Sequence, residues 1–494
     1  MKGTGLFGAD RQAKAAWTAQ VDSVSAGPSP NLITKEPSED PFSQVCQWVA
    51  EAFDREWEGS DDDGKTAKLE REKRAIMGFS KEMAYYKARI QEILEGQKLT
   101  DVQPPPWYPN LCEGVFAELY GLAGLAPWAY DMDEKYLLSS SAKLIGDRLY
   151  CLIDGKTVLQ PQRISRQRRN KLKRALLLAT PEERLEKGFH EVYLKNGIRI
   201  TIYAGRRTKD GEDVMVFRKY VLPNHSFATL VEKGTIPQEA IPLFEKMIQI
   251  GCNVLFAGPV RSGKTTFLQI WQKQERTDLE GLAVATDPET PWHKLMPSAP
   301  IMQLVADGQD LIQISRSLLR GDNDYVLLEE MRDAASYRLA LDITSAGTFR
   351  SKGTIHDGDG IDIPYKMATA IVSQYGGNLE QIICTVYKNF DYVIELCQDK
   401  NNRGIKRMKG ILEYAYDPHQ DQVSATYLCR YDFDRGVWLW NGYQDPRKEE
   451  KYSPYRAELL ELQKILHRLA KGRSFSNWTI FPAYYPGGGR QHVV

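Results

Sequence analysis

The chain has 494 residues with 65 Lys+Arg against 65 Asp+Glu and 42% hydrophobic residues; at roughly 150 residues per domain this is about three domains with ample material for cores. That balance excludes a disordered, collagen-like or supercharged chain, and zero net charge argues against wholesale nucleic-acid binding. No run approaches the roughly 18 consecutive apolar residues of a membrane-spanning helix, and the first residues lack the apolar core of a secretory signal. Seven dispersed cysteines with no CxxC pair give neither a zinc motif nor a disulfide framework, so the chain reads as cytoplasmic.

In chain order, residues 1–105 read as a Ser/Pro-rich lead-in followed by a helical extension. The lead-in ends near residue 45. FSQVCQWVAEAFDREW and the Lys/Glu-rich 66–97 are helical, GSDDDG (59–64) divides them, and Pro104–Pro106 begins a linker. In that extension Tyr85-Tyr86 suits packing or docking better than ligand binding. Residues 106–232 read as an α+β domain. It holds strands around a DG turn (Asp154-Gly155), a helix over RNKLKRALLLATPEERLEKGF (169–189), a hairpin at Asn196-Gly197, and the strand VMVFRKYVLP. Residues 236–450 alternate helices with continuous apolar strands (NVLFAG, GLAVATD, APIMQLVA, DYVLLEE), the pattern of a parallel α/β sheet covered on both faces. Residues 451–494 are an amphipathic helix and an aromatic, glycine-rich tail with no evident chemistry.

The sharpest motif is Gly258-Pro259-Val260-Arg261-Ser262-Gly263-Lys264-Thr265, which fits GxxxxGK[ST] between a strand and a helix. The glycines let backbone N–H groups face phosphate oxygens, Lys264 supplies a cation to the β/γ-phosphates, and the Thr265 hydroxyl is a Mg²⁺ ligand. Thr266 follows in the helix's first turn, whose dipole favours an anion. The pattern therefore predicts binding of ATP with Mg²⁺. Two later strands end in acids, Asp287-Pro288-Glu289 and Glu329-Glu330, where a carboxylate can orient water or Mg²⁺. A third run ends Gly353-Thr354-Ile355-His356.

In this order the motifs resemble the ATPase superfamily of type II and type IV secretion, including pilus-assembly ATPases of the tight-adherence type and conjugation-type members. That superfamily carries a phosphate loop, an acidic Asp box, a Walker B strand ending GE(V/I)R(D/G), and a His box ending TIH or TLH. The resemblance spans about residues 110–445 and implies a RecA-like P-loop core behind an α+β N-terminal domain. It implies Glu330 as the carboxylate that positions the attacking water, Asp287 and Glu289 in the Asp box, and His356 in the His box. Arg218 would reach the nucleotide from the N-terminal domain, and Arg320 and Arg332 match arginines of the Walker B region. Arg218 ends a strand, so its neighbour Lys219 is expected on the opposite face, a silent site.

The resemblance further implies a Mg²⁺-dependent motor, a homohexamer, working at the inner face of the membrane with a platform protein of a pilus or secretion machine. Two other functions stay open. A nucleic-acid-stimulated motor would use the basic run RISRQRRNKLKR (163–174), although no interleaved aromatics offer stacking platforms. A non-hydrolysing ATP-binding scaffold is the other, because three positions depart from the pattern. Glu329 stands for Gly, Thr286 for Glu before Asp287, and Thr348 for His. Two adjacent carboxylates predict a raised pKa for one of them.

Overall fold

The computed structural model describes residues 40–56, 62–179, 190–203, 208–219, 225–286, 290–306, 308–318, 323–400, 402–472 and 479–482. The chain divides into two compact units after Ala123.

In the first unit, helices α1 (Pro41–Glu56), α2 (Asp62–Ile76), α3 (Ser80–Gly96) and α4 (Leu111–Tyr120) pack together. Phe42, Val45, Val49 and Phe53 recur at helical spacing and are buried along α1. Tyr86 of α3 stacks on Tyr120 of α4, with ring centroids 4.1 Å apart and planes 13° apart. The unit runs past Pro104–Pro106 because α4, capped by the Asn110 side chain on the Glu113 N–H (2.9 Å), supplies that ring.

The second unit opens with a six-stranded sheet of β1 (Ser141–Ile145), β2 (Arg148–Ile153), β3 (Lys156–Arg163), β4 (His190–Tyr193), β5 (Arg199–Tyr203) and β6 (Val214–Arg218). The order is β3-β2-β1-β6-β5-β4, and every neighbouring pair is antiparallel. Asp154 (φ 47°) and Gly155 (φ 75°) make the tight β2–β3 turn, while Gly197 (φ 86°) turns β4 into β5. Three cations of the basic helix α5 (Arg166–Leu177) bond within this domain. Arg169 donates to the carbonyls of Ile164 (2.8 Å) and Gly211 (3.1 Å), Lys173 pairs with Asp213 (2.9 Å), and Arg166 pairs with Asp210 (2.8 Å).

After α6 (Phe227–Glu232) and α7 (Ile241–Ile250) comes the large sheet: β7 (Val254–Ala257), α8 (Lys264–Gln272), β8 (Gly281–Ala285), β9 (Ile301–Val305), α9 (Gly308–Leu318), β10 (Tyr325–Met331), α10 (Ala334–Ser345) and β11 (Lys352–Ile355). It continues with α11 (Ile363–Tyr375), α12 (Leu379–Asn389), β12 (Tyr392–Gln398), β13 (Lys406–Asp417), β14 (Gln422–Asp432), β15 (Val437–Trp440), α13 (Arg456–Ala470) and β16 (Thr479–Ile480). The path is β15-β14-β13-β12-β7-β11-β10-β8-β9, with β16 on β14. From β12 to β9 all pairs are parallel, and β13–β15 extend the sheet antiparallel. One core, with Phe256, Trp271, Trp292 and Leu327, covers one face; another, with Leu255, Leu328, Met331 and Ile355, covers the other. This is the parallel α/β sheet covered on both faces, in which strand alternation feeds two cores.

Several contacts join the parts of this unit, among them two close ones. At the β12–β13 turn, Gly404 lies against the β2–β3 turn so closely that a Cβ on Gly155 would overlap its backbone, and a Cβ on Gly404 would sit 2.9 Å from the Asp154 carbonyl oxygen. At the edge of the sheet where β7 and β12 begin, the buried carboxylate of Asp391 accepts from the Asn253 N–H (2.9 Å), Lys448 (3.0 Å), Lys451 (2.9 Å) and the Tyr452 hydroxyl. Burial pushes this carboxyl up, but the Lys448 and Lys451 charges win and hold it well below the usual carboxylate range. Asp391→Asn leaves Lys448, itself buried, with its main counter-charge gone. A loss of roughly 3–5 kcal/mol of unfolding free energy is expected, read as a lower denaturant midpoint.

Candidate active site

The loop after β7 is shaped by what cannot fit there. A Cβ on Gly258 would lie 2.6 Å from the Ser262 Oγ and overlap the Leu396 carbonyl of β12; Gly263, at φ 96°, needs the left-handed freedom of glycine. Arg261 takes φ 63° despite its side chain, and the Gln398 side chain holds it by donating to the carbonyls of Val260 (3.1 Å) and Arg261 (2.8 Å). Lys264 is 5% exposed, and its ammonium donates to the Gly258 and Pro259 carbonyls, 3.0 Å each. The Ser262 hydroxyl is fully buried and has no partner among the described residues. A tight glycine-walled loop, a buried cation at its centre and an unused hydroxyl fit a phosphate tail. Thr265 and Thr266, half-buried on the first turn of α8, put hydroxyls beside that loop, the hard-oxygen chemistry Mg²⁺ takes.

Strand order then supplies the rest. β11 lies between β7 and β10, so His356, just past β11, stands between Lys264 and Glu330. His356 Nδ1 is 3.1 Å from the Lys264 Nζ, and His356 Nε2 is 3.1 Å from Glu330 Oε1. An ammonium only donates, so Nδ1 accepts and the ring proton on Nε2 faces the carboxylate. Arg332 binds the other oxygen of Glu330.

Glu330 reaches this position through a bulge. β10 pairs with β11 as Leu327↔Lys352 and Leu328↔Gly353, then resumes as Met331↔Ile355, so Glu329 and Glu330 together oppose Thr354. Glu330 is the extra residue, at φ 61°, and its N–H donates to the Thr354 hydroxyl (2.8 Å). Glu329 keeps the strand's alternation and turns to the opposite face, where it is buried and accepts from the Trp292 indole N–H (2.7 Å). The two carboxylates therefore do not crowd each other. Glu330 is not the one pushed up; it is lowered to about 2: burial raises it, but the hydrogen bonds from His356 and Arg332 outweigh burial.

Arg218 is exposed at the end of β6, opposite Ser141 of β1, and the Arg261 guanidinium lies 3.4 Å from the Ser141 Oγ. Burial and the charges of Arg218 and Arg403 push the Arg261 guanidinium down, so the N-terminal sheet brings positive charge to the rim of the phosphate loop. Lys219 is not the silent surface site expected from alternation. Its ammonium is buried, bonded to Asp131 and to the carbonyls of Trp128 (2.8 Å) and Tyr136 (2.9 Å), because the segment 128–136 covers that face. Asp287, Glu289 and Arg320 lie outside the described residues. Thr286 is exposed just past β8, and Thr348 accepts at its carbonyl from the Asn253 side chain (3.5 Å). The sequence offered no signal for Gln398 or Ser141, whose roles depend on partners up to 138 residues away.

A carboxyl lowered in the folded state contributes stability that is complete above its unfolded pKa of about 4.5 and disappears as pH falls toward 2. Glu330→Gln is therefore expected to lose less stability than the parent between about pH 5 and pH 3, measured by chemical denaturation at each pH.

Residues 208–431 match the family model of type II/IV secretion system proteins, and no curated protein sequence matches the chain. Among solved structures, the VirB11 ATPase of the Brucella suis type IV secretion system, crystallised with sulphate, is 17% identical, covering 60% of this chain and 95% of its own, at a TM-score of 0.31. The pilus retraction motor PilT with bound ADP is 17% identical over 70% of this chain and 89% of its own, at 0.42. The Legionella pneumophila ATPase DotB is 16% identical over 68% and 85%, at 0.38. Residues 208–431, with their phosphate loop, bulged acidic strand and histidine-tipped strand, are thus similar to the type II/IV secretion system protein family.

Proposed function

We propose that this protein is a Mg²⁺-dependent ATPase that works as a homohexameric motor at the cytoplasmic face of a membrane. There it would power a pilus or secretion apparatus through an inner-membrane platform protein. The observation that carries the proposal is the unbroken link Lys264–His356–Glu330 at the mouth of the phosphate loop. It joins a phosphate-binding cation to a carboxylate kept ionised at neutral pH, as a water-orienting group must be.

In this mechanism the loop N–H groups and Lys264 hold the β- and γ-phosphates. Bound at the Thr265 hydroxyl, Mg²⁺ would supply charge neutralisation to the phosphate oxygens. Glu330 orients the attacking water, and His356 fixes Glu330 relative to Lys264. Asp287 and Glu289 act from the Asp box, and Arg320 and Arg332 from the Walker B region. Arg218 closes over the transferring phosphoryl group from the N-terminal sheet, so that hydrolysis is converted to domain movement. No helix among the described residues is long and apolar enough to cross a membrane, which fits attachment through a partner. The basic helix favours no nucleic-acid function, since Arg166, Arg169 and Lys173 already meet acids and carbonyls of their own domain.

Turnover and nucleotide affinity of the purified oligomer test this. Lys264→Ala should lose ATP binding and keep its fold, and retained affinity would refute the phosphate-loop assignment. Glu330→Gln should bind ATP and barely hydrolyse it, and chelating Mg²⁺ should stop the parent. Arg218→Ala should keep its nucleotide-free melting temperature while losing roughly 3–5 kcal/mol of transition-state stabilisation, about a hundredfold or more in rate. Lys219→Ala, by contrast, should lower the melting temperature itself.

A further inference from the structure

Glu329 occupies the position where the resembled superfamily has glycine, and the function proposed above gives it no role. Along β10, Tyr325 and Leu327 face the core that contains Trp292, whereas Val326 and Leu328 face the other. Glu329 continues the first set and ends in the Trp292 indole bond. Unbroken alternation would then place residue 330 on the second core's face and residue 331 on the first. Instead Met331 is in the second core beside Leu328, and Glu330 is the residue left over, in a left-handed conformation that a glutamate adopts only when its surroundings enforce it.

The enforcement has two sides. Met331, 1% exposed, is anchored by burial. Glu329 is anchored by Trp292, which is itself fully buried and tied down through its own N–H to the Gln303 side chain (3.1 Å). Gln303 in turn donates to the Thr290 carbonyl (2.7 Å), and the Thr290 hydroxyl accepts from Gln269 of α8 (3.0 Å). One chain of bonds thus runs from the helix that begins with the phosphate-loop lysine, through the segment after β8, to the residue preceding Glu330.

We propose that Glu329 is a positioning residue: its bond to Trp292 fixes the bulge so that Glu330, and not its neighbour, is presented to His356. The proposal rests on Glu330 being the water-orienting carboxylate. Glycine at this position would leave the bulge to be set by other contacts; here a long acidic side chain pins it from the far face of the sheet. Without the pin, the strand can relax toward regular pairing, with Glu330 drawn away from His356.

Four variants test it: Glu329→Ala, Trp292→Phe, their combination, and Glu329→Gln, which keeps an oxygen to accept the indole proton. Glu329→Ala and Trp292→Phe should each lower kcat about tenfold with KM for ATP within about twofold of the parent. The double variant should be no slower than either single one, as expected when both remove one interaction. Glu329→Gln should recover kcat to within about threefold.

Hydrogen exchange of the nucleotide-free protein gives a second measurement that needs no turnover. The peptide covering residues 325–332 should exchange faster in the first three variants and as in the parent for Glu329→Gln. Should Glu329→Ala fail to fold, Trp292→Phe with and without Glu329→Gln carries the comparison. Unchanged kcat and exchange in Trp292→Phe, or a Glu329→Gln as slow as Glu329→Ala, overturns the positioning role. A parent, or a Glu330→Gln control, that contradicts ATP hydrolysis through Glu330 refutes the function instead, while the exchange data still report on the bulge.

Discussion

The position of β11 between β7 and β10 is the constraint on which the site depends. Parallel strands in register bring their carboxyl ends to one edge, so the order of strands is also the order of the side chains just beyond them. With β11 inserted, His356 necessarily falls between the lysine after β7 and the glutamate of β10. It spans a gap the other two side chains need not close themselves. Had β10 been adjacent to β7, a lysine–carboxylate ion pair would be the natural outcome, and the lysine would be neutralised by the protein. The histidine keeps Lys264 and Glu330 coupled yet apart.

Electrostatics and backbone geometry support each other here. Burial alone would push Glu330 toward its neutral form, and the His356 and Arg332 hydrogen bonds reverse this. Those bonds are available only because the bulge aims the side chain at them. A strained φ and a lowered pKa are thus two results of one local event, the extra residue opposite Thr354. The phosphate loop shows the same economy: Gly258 is needed because β12 presses a carbonyl against it, and Gln398 of that same strand binds the loop's backbone.

Much of this was legible in the sequence, and the failures have identifiable causes. Apolar runs and helical spacing marked the strands and helices of the α/β core, and Asp154-Gly155 and Asn196-Gly197 marked hairpins, because these signals are local. Gly258, Gly263, Lys264, Glu330 and His356 were visible as motif positions. Their spacing along the chain could not show that His356 would bridge the other two, since that follows from strand order. For Lys219, alternation specifies a face, not what covers it; the Trp128–Tyr136 segment lies some 83–91 residues earlier. Glu329 and Glu330 looked like a repulsive pair because adjacent letters suggest adjacent charges, whereas the sheet separates them.

Gly155 and Gly404 carry a consequence for anyone altering this protein. Tips of β-hairpins are ordinarily the most permissive places in a domain for tags, insertions and new termini. The Asn196-Gly197 tip fits that expectation, since nothing lies within 4 Å of a Cβ built on Gly197. The tips at 154–155 and 402–404 do not, because each is the other's packing surface and that surface is main chain on both sides. Main chain cannot adopt another rotamer to make room. A label or epitope grafted into either turn would act as a wedge between the two sheets, and one placed at 196–197 would leave them seated.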